Sequence, residues 1–339
     1  MTVILQTAVA ILPVFLFLGI LTLLDTYKLI KFRTILIIIA SGCAAAILAW
    51  LLNLFFLKNT RLEPIIYASY AAPFVEELLK AIYPIFLLKK KRIGFMVDAA
   101  ITGFAVGAGF AFIENLYYLK FSPDANLFLW IIRGFGTAVM HGGTTSVFCI
   151  VSKYLTESRK HEGIHLFLPG WFAAVAMHAL FNRFFLPPLA MTLGQLVFFP
   201  TLIVLIFDQS EKKLRGWLDV GMDSDINLLE YIKSGTIKKT NIGIYLQTIR
   251  EKFPPEVVFD MLCYIRIHIE LALRAKGILI ARESGLEIVI DQETRDKVTE
   301  LKFLEKSIGK TGQLAIAPAS RTFGTSTQDL WQLFLVEKK

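Results

Sequence analysis

Residues 70–84 read YAAPFVEELLKAIYP, and three ionisable side chains, Glu76, Glu77 and Lys80, interrupt an otherwise apolar run there. Whether those charges stand inside a membrane span decides the fold, and the rest of the chain answers. Of the 339 residues, 55% are hydrophobic, too many for an ordinary soluble domain. They gather into runs close to the length a helix needs to cross a bilayer. Seven such runs cover roughly 3–24, 34–57, 64–88, 95–119, 127–152, 166–185 and 187–207. The sequence therefore predicts an all-α, polytopic transmembrane helix bundle of about seven spans over residues 1–207. A soluble, mostly helical C-terminal region is expected over 208–339.

Basic residues orient the spans. Loop 25–33 holds Lys28, Lys31 and Arg33, loop 89–94 holds Lys89, Lys90, Lys91 and Arg92, and loop 153–165 holds Lys153, Arg159 and Lys160. The alternate loops hold Lys58 and Arg61, then Lys120, then none. Cytoplasmic loops collect Lys and Arg, so the N-terminus is expected outside and the C-terminal region in the cytoplasm of a cell with this multi-pass protein in its inner or plasma membrane. The first run is expected to stay, because MTVILQ carries no charge and no small-residue cleavage site follows the apolar stretch. The formal charge of +8 is chiefly a topology signal, since residues 1–207 hold 16 basic and 9 acidic residues and 208–339 hold 20 and 19. Basic residues interspersed with acids form no phosphate-binding stripe, so no nucleic acid is expected as a partner. Cys43, Cys149 and Cys263 have no paired spacing, which points to neither a disulfide framework nor a cysteine metal site.

In the C-terminal region, 225–233 and 241–252 alternate apolar and charged residues at helical spacing. Pro254-Pro255 opens a long amphipathic helix to about Arg282, with Val258, Met261, Leu262, Ile265, Ile269 and Leu273 on one face. Residues 291–307 form another helix candidate, TGQLAIAPASRTFGTSTQ reads as a linker, and a short apolar end lies around 330–336.

The chemistry is expected among the spans, where each ionisable residue is costly and asks for a reason. Glu76 and Lys80 are four apart, share a helix face and are expected to pair, while Glu77 lies about 100° round the helix. Pro73 and Pro84 bracket this motif and bend the helix. The fourth span, FAVGAGFAFIENLYY, offers Glu114 and Asn115, with Gly103, Gly107 and Gly109 thinning the helix for a close neighbour. The fifth offers His141, and the sixth places His178 and Asn182 four apart on one face. Arg133, Arg183 and Asp98 lie near span ends and are read as snorkelling outward. Polar residues on four spans are better accounted for by one shared site than by four separate packing contacts. Three carboxylates against Lys80 need neutralising in a low dielectric. A divalent cation such as zinc, held by imidazoles and carboxylates, achieves this, and so does protonation of a glutamate.

Glu-Glu-x-x-Lys at 76–80, Phe-x-x-x-Glu-Asn at 110–115, His141, and His-x-x-x-Asn at 178–182 together resemble the PrsW family of bacterial intramembrane proteases. That family is related to the CAAX-prenyl-endopeptidase and bacteriocin-processing superfamily, and the resemblance covers about 64–185. It implies an intramembrane peptidase in which Glu76 or Glu77 activates the attacking water and Lys80 orients the glutamates. Glu77, Glu114, His141 and His178 are then the metal candidates, and His178 with Asn182 polarises the scissile carbonyl or completes the site. The prenyl-protease relatives carry His where this chain has Glu114, which favours a metal role for that carboxylate. The implied partner is a membrane-anchored protein substrate of the anti-sigma-factor kind, cut within the lipid bilayer. The competing reading is a non-catalytic scaffold or a cation or proton transporter built on the same polar cluster. Transporters often show two-fold repeats, and none is visible here.

A second motif points elsewhere. His161-Glu162-Gly163-Ile164-His165 spells H-E-x-x-H, the zinc-binding signature of a large class of proteases. That signature needs both histidines on one continuous helix, yet Gly163 stands between them, Pro169-Gly170 follows, and the stretch lies in a basic loop. It is read as a loop or helix cap. With spans oriented as above and 1.5 Å of rise per residue, Glu76, Glu114, His141 and His178 lie about 18, 9, 21 and 11 Å below the outer surface. The site is therefore expected to open outward.

Overall fold

A computed structural model describes residues 2–25, 30–60, 62–122, 124–158, 163–183, 185–284, 286, 288 and 290–322. Among these residues every regular element is helical. The chain divides into two compact units, Met1–Ser210 and Glu211–Lys339.

In the first unit, α1 is Thr2–Leu24 and α2 is Phe32–Asn59. Helix α3 runs through Pro64–Ile66, a π-helical turn Tyr67–Ala71, and Ala72–Lys89. After α4 (Met96–Phe121), α5 likewise runs through Leu127–Ile131, a π-helical turn Ile132–Thr137, and Ala138–Ser158. Helix α6 begins with a 3-10 turn, Ile164–Phe167, and continues through Leu168–Asn182. Helix α7 is Pro188–Lys233, of which the part up to Ser210 belongs to this unit. Among the described residues, five stretches are long and apolar enough to cross a membrane: Ile4–Leu24, Phe32–Asn59, Met96–Phe121, Ile164–Asn182 and Pro188–Ser210. The third and fifth expected spans correspond to α3 and α5, the two helices that contain π turns. Large apolar side chains such as Leu16, Leu23, Phe55, Val197 and Leu205 are exposed on α1, α2 and α7. So much outward-facing apolar surface suits lipid rather than water.

The π turn of α3 follows from Pro73. The Ala72 N–H reaches back five residues to the Tyr67 carbonyl. A π-type partner for the Ala68 carbonyl would be residue 73, and proline has no N–H to give. That carbonyl is instead satisfied by Asn182 Nδ2 at 3.1 Å, from α6. The expected bend is thus a local change of helical winding, with the orphaned acceptor taken up by a neighbouring helix.

Helix α4 is the axis of the unit. Nearly all of its residues from Val97 to Ala111 are buried, and it packs against α1, α2 and α5. Phe104 stacks on Phe17 of α1 with ring centroids 4.7 Å apart. Close approach to α5 depends on missing side chains. A Cβ on Gly107 would collide with the His141 carbonyl, and one on Gly103 with the Thr145 carbonyl. Without Cβ atoms there, the backbone bearing His141 comes up against α4.

The second unit holds the remainder of α7, a 3-10 turn Thr236–Lys239, α8 (Asn241–Ile249), α9 (Pro255–Glu283) and α10 (Gln292–Thr322). The expected amphipathic face of α9 forms its core, with Met261, Ile265 and Ile269 packed against Ile242, Leu246 and Ile308. One expectation is corrected here. The stretch read as a linker from 311 is helical as far as Thr322, after a break at Gly309 with φ 65°. Ile316 on that segment is buried in this core, with Ala315 packed beside it. The apolar end at 330–336 lies outside the described residues.

Gly107→Val should therefore force α5 off α4 and displace His141. Overpacking of this kind costs about 1–3 kcal/mol or more, and the expected outcome is folded membrane protein with a lower melting temperature and metal binding weakened at least about tenfold.

Candidate metal centre

The site is assembled by α3, α4, α5 and α6, each supplying one or two groups. Glu77 of α3 is its innermost member, 2% exposed. Its Oε1 accepts from Lys80 Nζ at 2.5 Å, from His178 Nδ1 at 2.8 Å and from Thr144 Oγ1 at 3.2 Å. Lys80, fully buried, also lies 3.1 Å from His141 Nδ1 and 4.7 Å from the centre of the Phe110 ring. Lys80 therefore pairs with Glu77 at i+3 and not with Glu76 at i+4, contrary to the expectation from spacing. Both positions neighbour Lys80 on a helix. Glu77 wins because it points into the interior, where Thr144 and His141 of α5 and His178 of α6 complete the hydrogen bonds that a buried charge requires.

Glu76 turns toward the open side, 17% exposed at its side chain. Its Oε1 accepts from Asn53 Nδ2 of α2 at 3.1 Å, and Asn53 Oδ1 in turn accepts from the Tyr67 hydroxyl at 3.0 Å. Its Oε2 lies 3.7 Å from His178 Nε2. Because His178 Nδ1 faces the Glu77 carboxylate, that nitrogen carries the ring proton and Nε2 presents a lone pair toward Glu76. The His141 and His178 rings meet edge to face with centroids 4.8 Å apart. On α4, Glu114 brings Oε2 to 2.8 Å from His141 Nε2, with its side chain 28% exposed.

Among the described residues, Glu76, His141 and His178 offer donor atoms that all lie within 4.8 Å of one another. Tetrahedral zinc, with bonds of about 2.0–2.1 Å, holds its donors about 3.3 Å apart. Within this group the Glu76–His178 separation of 3.7 Å is close to that value, and Glu114 lies nearer to His141, at 2.8 Å. Two imidazoles and a carboxylate are a suitable donor set for a catalytic divalent ion: His178 is oriented through its far nitrogen, and an ion at His141 Nε2 would displace the proton that this nitrogen shares with Glu114. Glu77, expected among the ligands, instead spends Oε1 on three hydrogen-bond donors.

A family description, PrsW family intramembrane metalloprotease, matches residues 30–205, just over half of the chain. The chain belongs to the PrsW family. It is a membrane protease, with the lipid bilayer as its surroundings and a membrane protein as its substrate. No curated protein and no solved structure matches it. The matched region contains α2 to α6 and every residue of the cluster described above, and α1 and the second unit fall outside it.

Three contributors escaped the sequence reading. Asn53 is a single amide in an apolar run, and Thr144 is a hydroxyl adjacent to two glycines, so neither carries a motif. Arg133 does not snorkel outward, contrary to the expectation from its place near a span end. It is 8% exposed, lies 3.3 Å from Glu114 Oε1 through Nη2, and donates from Nε to Asn115 Oδ1 at 3.0 Å. Eight residues of ordinary α-helix would leave Arg133 and His141 about 80° apart. The π turn absorbs one residue and brings them to within about 20°, on one face. Its signal in the sequence is the Gly134 and Gly136 pair that follows a charged residue inside an apolar run. Asn182, expected beside the scissile carbonyl, gives Nδ2 to the Ala68 carbonyl.

The H-E-x-x-H stretch is excluded as a helical metal motif. His161 and Glu162 lie outside the described residues, but Gly163 has extended backbone (φ −80°, ψ 144°) and His165 is exposed in the 3-10 turn that opens α6. Replacing His161 and His165 together with Ala should leave metal content and proteolysis within about twofold of the wild type, measured on purified protein. Loss of the bound ion in that variant would reinstate the motif.

Proposed function

We propose that the protein hydrolyses a peptide bond of a membrane-anchored protein with water activated by Glu76 beside a divalent ion, zinc being the natural occupant. The convergence of Glu76, His141 and His178 carries this reading. His141 and His178 of that cluster, with Glu114 at 2.8 Å from His141, would hold the ion, and Glu76 would take the proton of the attacking water. The two partly exposed carboxylates divide the work by their partners. Glu114 is bonded to His141 and compensated by Arg133, which suits a ligand. Glu76 is held by an amide and, among the described residues, has no lysine or arginine in ion-pair contact, which leaves its lone pairs available to a proton. A divalent ion in such a site lowers the pKa of water and polarises a carbonyl. Glu77 and Lys80 act behind the reacting groups: Glu77 fixes the ring proton and orientation of His178, and Lys80 neutralises Glu77 and faces His141. Asn182 fastens α6, and with it His178, to the π turn of α3. A substrate of the anti-sigma-factor kind, a single membrane anchor with a soluble domain, suits a site that lies within the bilayer.

The scaffold and transporter readings make a different prediction. In the purified wild type, hydrolysis of a membrane-anchored reporter should stop on chelation and return with Zn2+. Glu76→Gln should keep the ion but lose about 10²–10⁴-fold in kcat, and Glu77→Gln should lose activity as well. Full activity in both variants would sink the protease mechanism proposed here.

Orientation is proposed with the basic loops in the cytoplasm, so the site opens toward the outer half of the membrane. In a background with Cys43, Cys149 and Cys263 replaced by Ser, Asp124→Cys should react with a membrane-impermeant thiol reagent in intact cells. Lys90→Cys should react only after the membrane is opened. The reverse pattern would place both the N-terminus and the cleavage side within.

A further inference from the structure

Arg133 is fixed on three sides. Its guanidinium stacks on Tyr118 at 3.6 Å from the ring centre, Nε donates to Asn115 Oδ1 at 3.0 Å, and Nη2 lies 3.3 Å from Glu114 Oε1. That last contact is an ion pair without the alignment of a hydrogen bond, because Nη2 is buried with no hydrogen-bond partner. Asn115 is fixed in turn: its Nδ2 donates to the Ala10 carbonyl of α1 at 2.6 Å. The π turn carrying Arg133 also meets α1 directly, where Gly134 lies so close to Val9 that a Cβ would collide with the Val9 carbonyl. A connected path therefore runs from the backbone of α1 through Asn115 and Arg133 to Glu114, and from Glu114 to His141 at 2.8 Å. Helix α1 lies outside the residues that match the family.

We infer that Arg133 is a positioning residue that holds Glu114 against His141, and that α1 sets Arg133 through Asn115 and Gly134. The inference rests on the reading of Glu114 as a ligand of the ion. A point charge is not enough for this task. A lysine at 133 keeps the charge but cannot stack on Tyr118, reach Asn115 and face Glu114 at once, as the planar fork of arginine does. Groups that orient metal ligands are worth about 10–100-fold in metal affinity or activity when removed.

The experiment uses the full chain in detergent micelles, with Zn2+ affinity by competition against a chromophoric chelator and kcat and KM on a membrane-anchored reporter. Arg133→Lys should weaken Zn2+ binding about 10–100-fold and lower kcat, with KM within about twofold. Gly134→Ala, which keeps the arginine and wedges α1 away, should move both quantities in the same direction. In a Glu114→Gln background, Arg133→Lys should add little, since its effect passes through Glu114. Additive losses there, or a lysine variant with wild-type affinity and turnover, would overturn the inference. A wild type that neither binds Zn2+ nor cleaves would instead defeat the proposed function. In that case a structure of Arg133→Lys still decides: Glu114 remaining within hydrogen-bond distance of His141 refutes the positioning role, and a parting of about 1 Å or more supports it.

Discussion

The ammonium of Lys80 and the carboxylate of Glu77 have no access to water, and the rest of the site is arranged around that fact. Breaking such a buried pair costs about 3–5 kcal/mol, because the survivor is left as an uncompensated charge. The pair is tolerable only with its remaining hydrogen bonds filled, which is what Thr144, His141 and His178 supply from two other helices. The demand of one ion pair thus brings α5 and α6 to α3. In meeting it, His178 is given a defined ring proton, and its Nε2 is turned toward Glu76. Stability and preorganisation for chemistry come from the same contacts.

Two π turns make this arrangement reachable. Regular helices would keep Arg133 and His141 on different faces and would free the Ser69 carbonyl at Pro73 instead of the Ala68 carbonyl that Asn182 grips. Each turn disturbs backbone pairing inside a bilayer, where an unsatisfied carbonyl costs several kcal/mol, and in α3 the loss at Ala68 is offset by a side chain from α6. Bare backbone on α4 completes the geometry, because Gly103 and Gly107 let α5 approach until His141 can reach Glu114.

The second unit meets the same constraint. Lys276 and Asp225 form a buried pair at 2.8 Å with both side chains shielded. His268 is pushed down to about 4 by burial, so it is neutral in the folded state near pH 7. Nothing in this unit gathers a metal-binding group among the described residues, and its apolar faces form ordinary helical cores.

The helical bundle, the approximate spans and the residue types of the site were legible in the sequence because the bilayer imposes them. A span must be long and apolar, and every charge within it must have a partner or a task. On that reasoning Glu76, Glu77, Lys80, Glu114, His141 and His178 stand out from their surroundings without any structure. Gly163 and the following Pro-Gly pair were enough to set aside H-E-x-x-H, since they act on the local backbone alone. What the sequence could not supply was the pairing. Glu76 and Glu77 are adjacent and chemically identical, and only the neighbouring helices decide which one meets Lys80 and which one faces the opening. Arg133 was hidden for a related reason: a single extra residue in a helical turn rotates everything before it, and such a turn leaves no clear mark in hydrophobic periodicity. Tertiary structure alone assigned Asn53, Thr144 and Arg133 to the site, because their roles depend on which helices adjoin, a property of the folded bundle and not of any one segment.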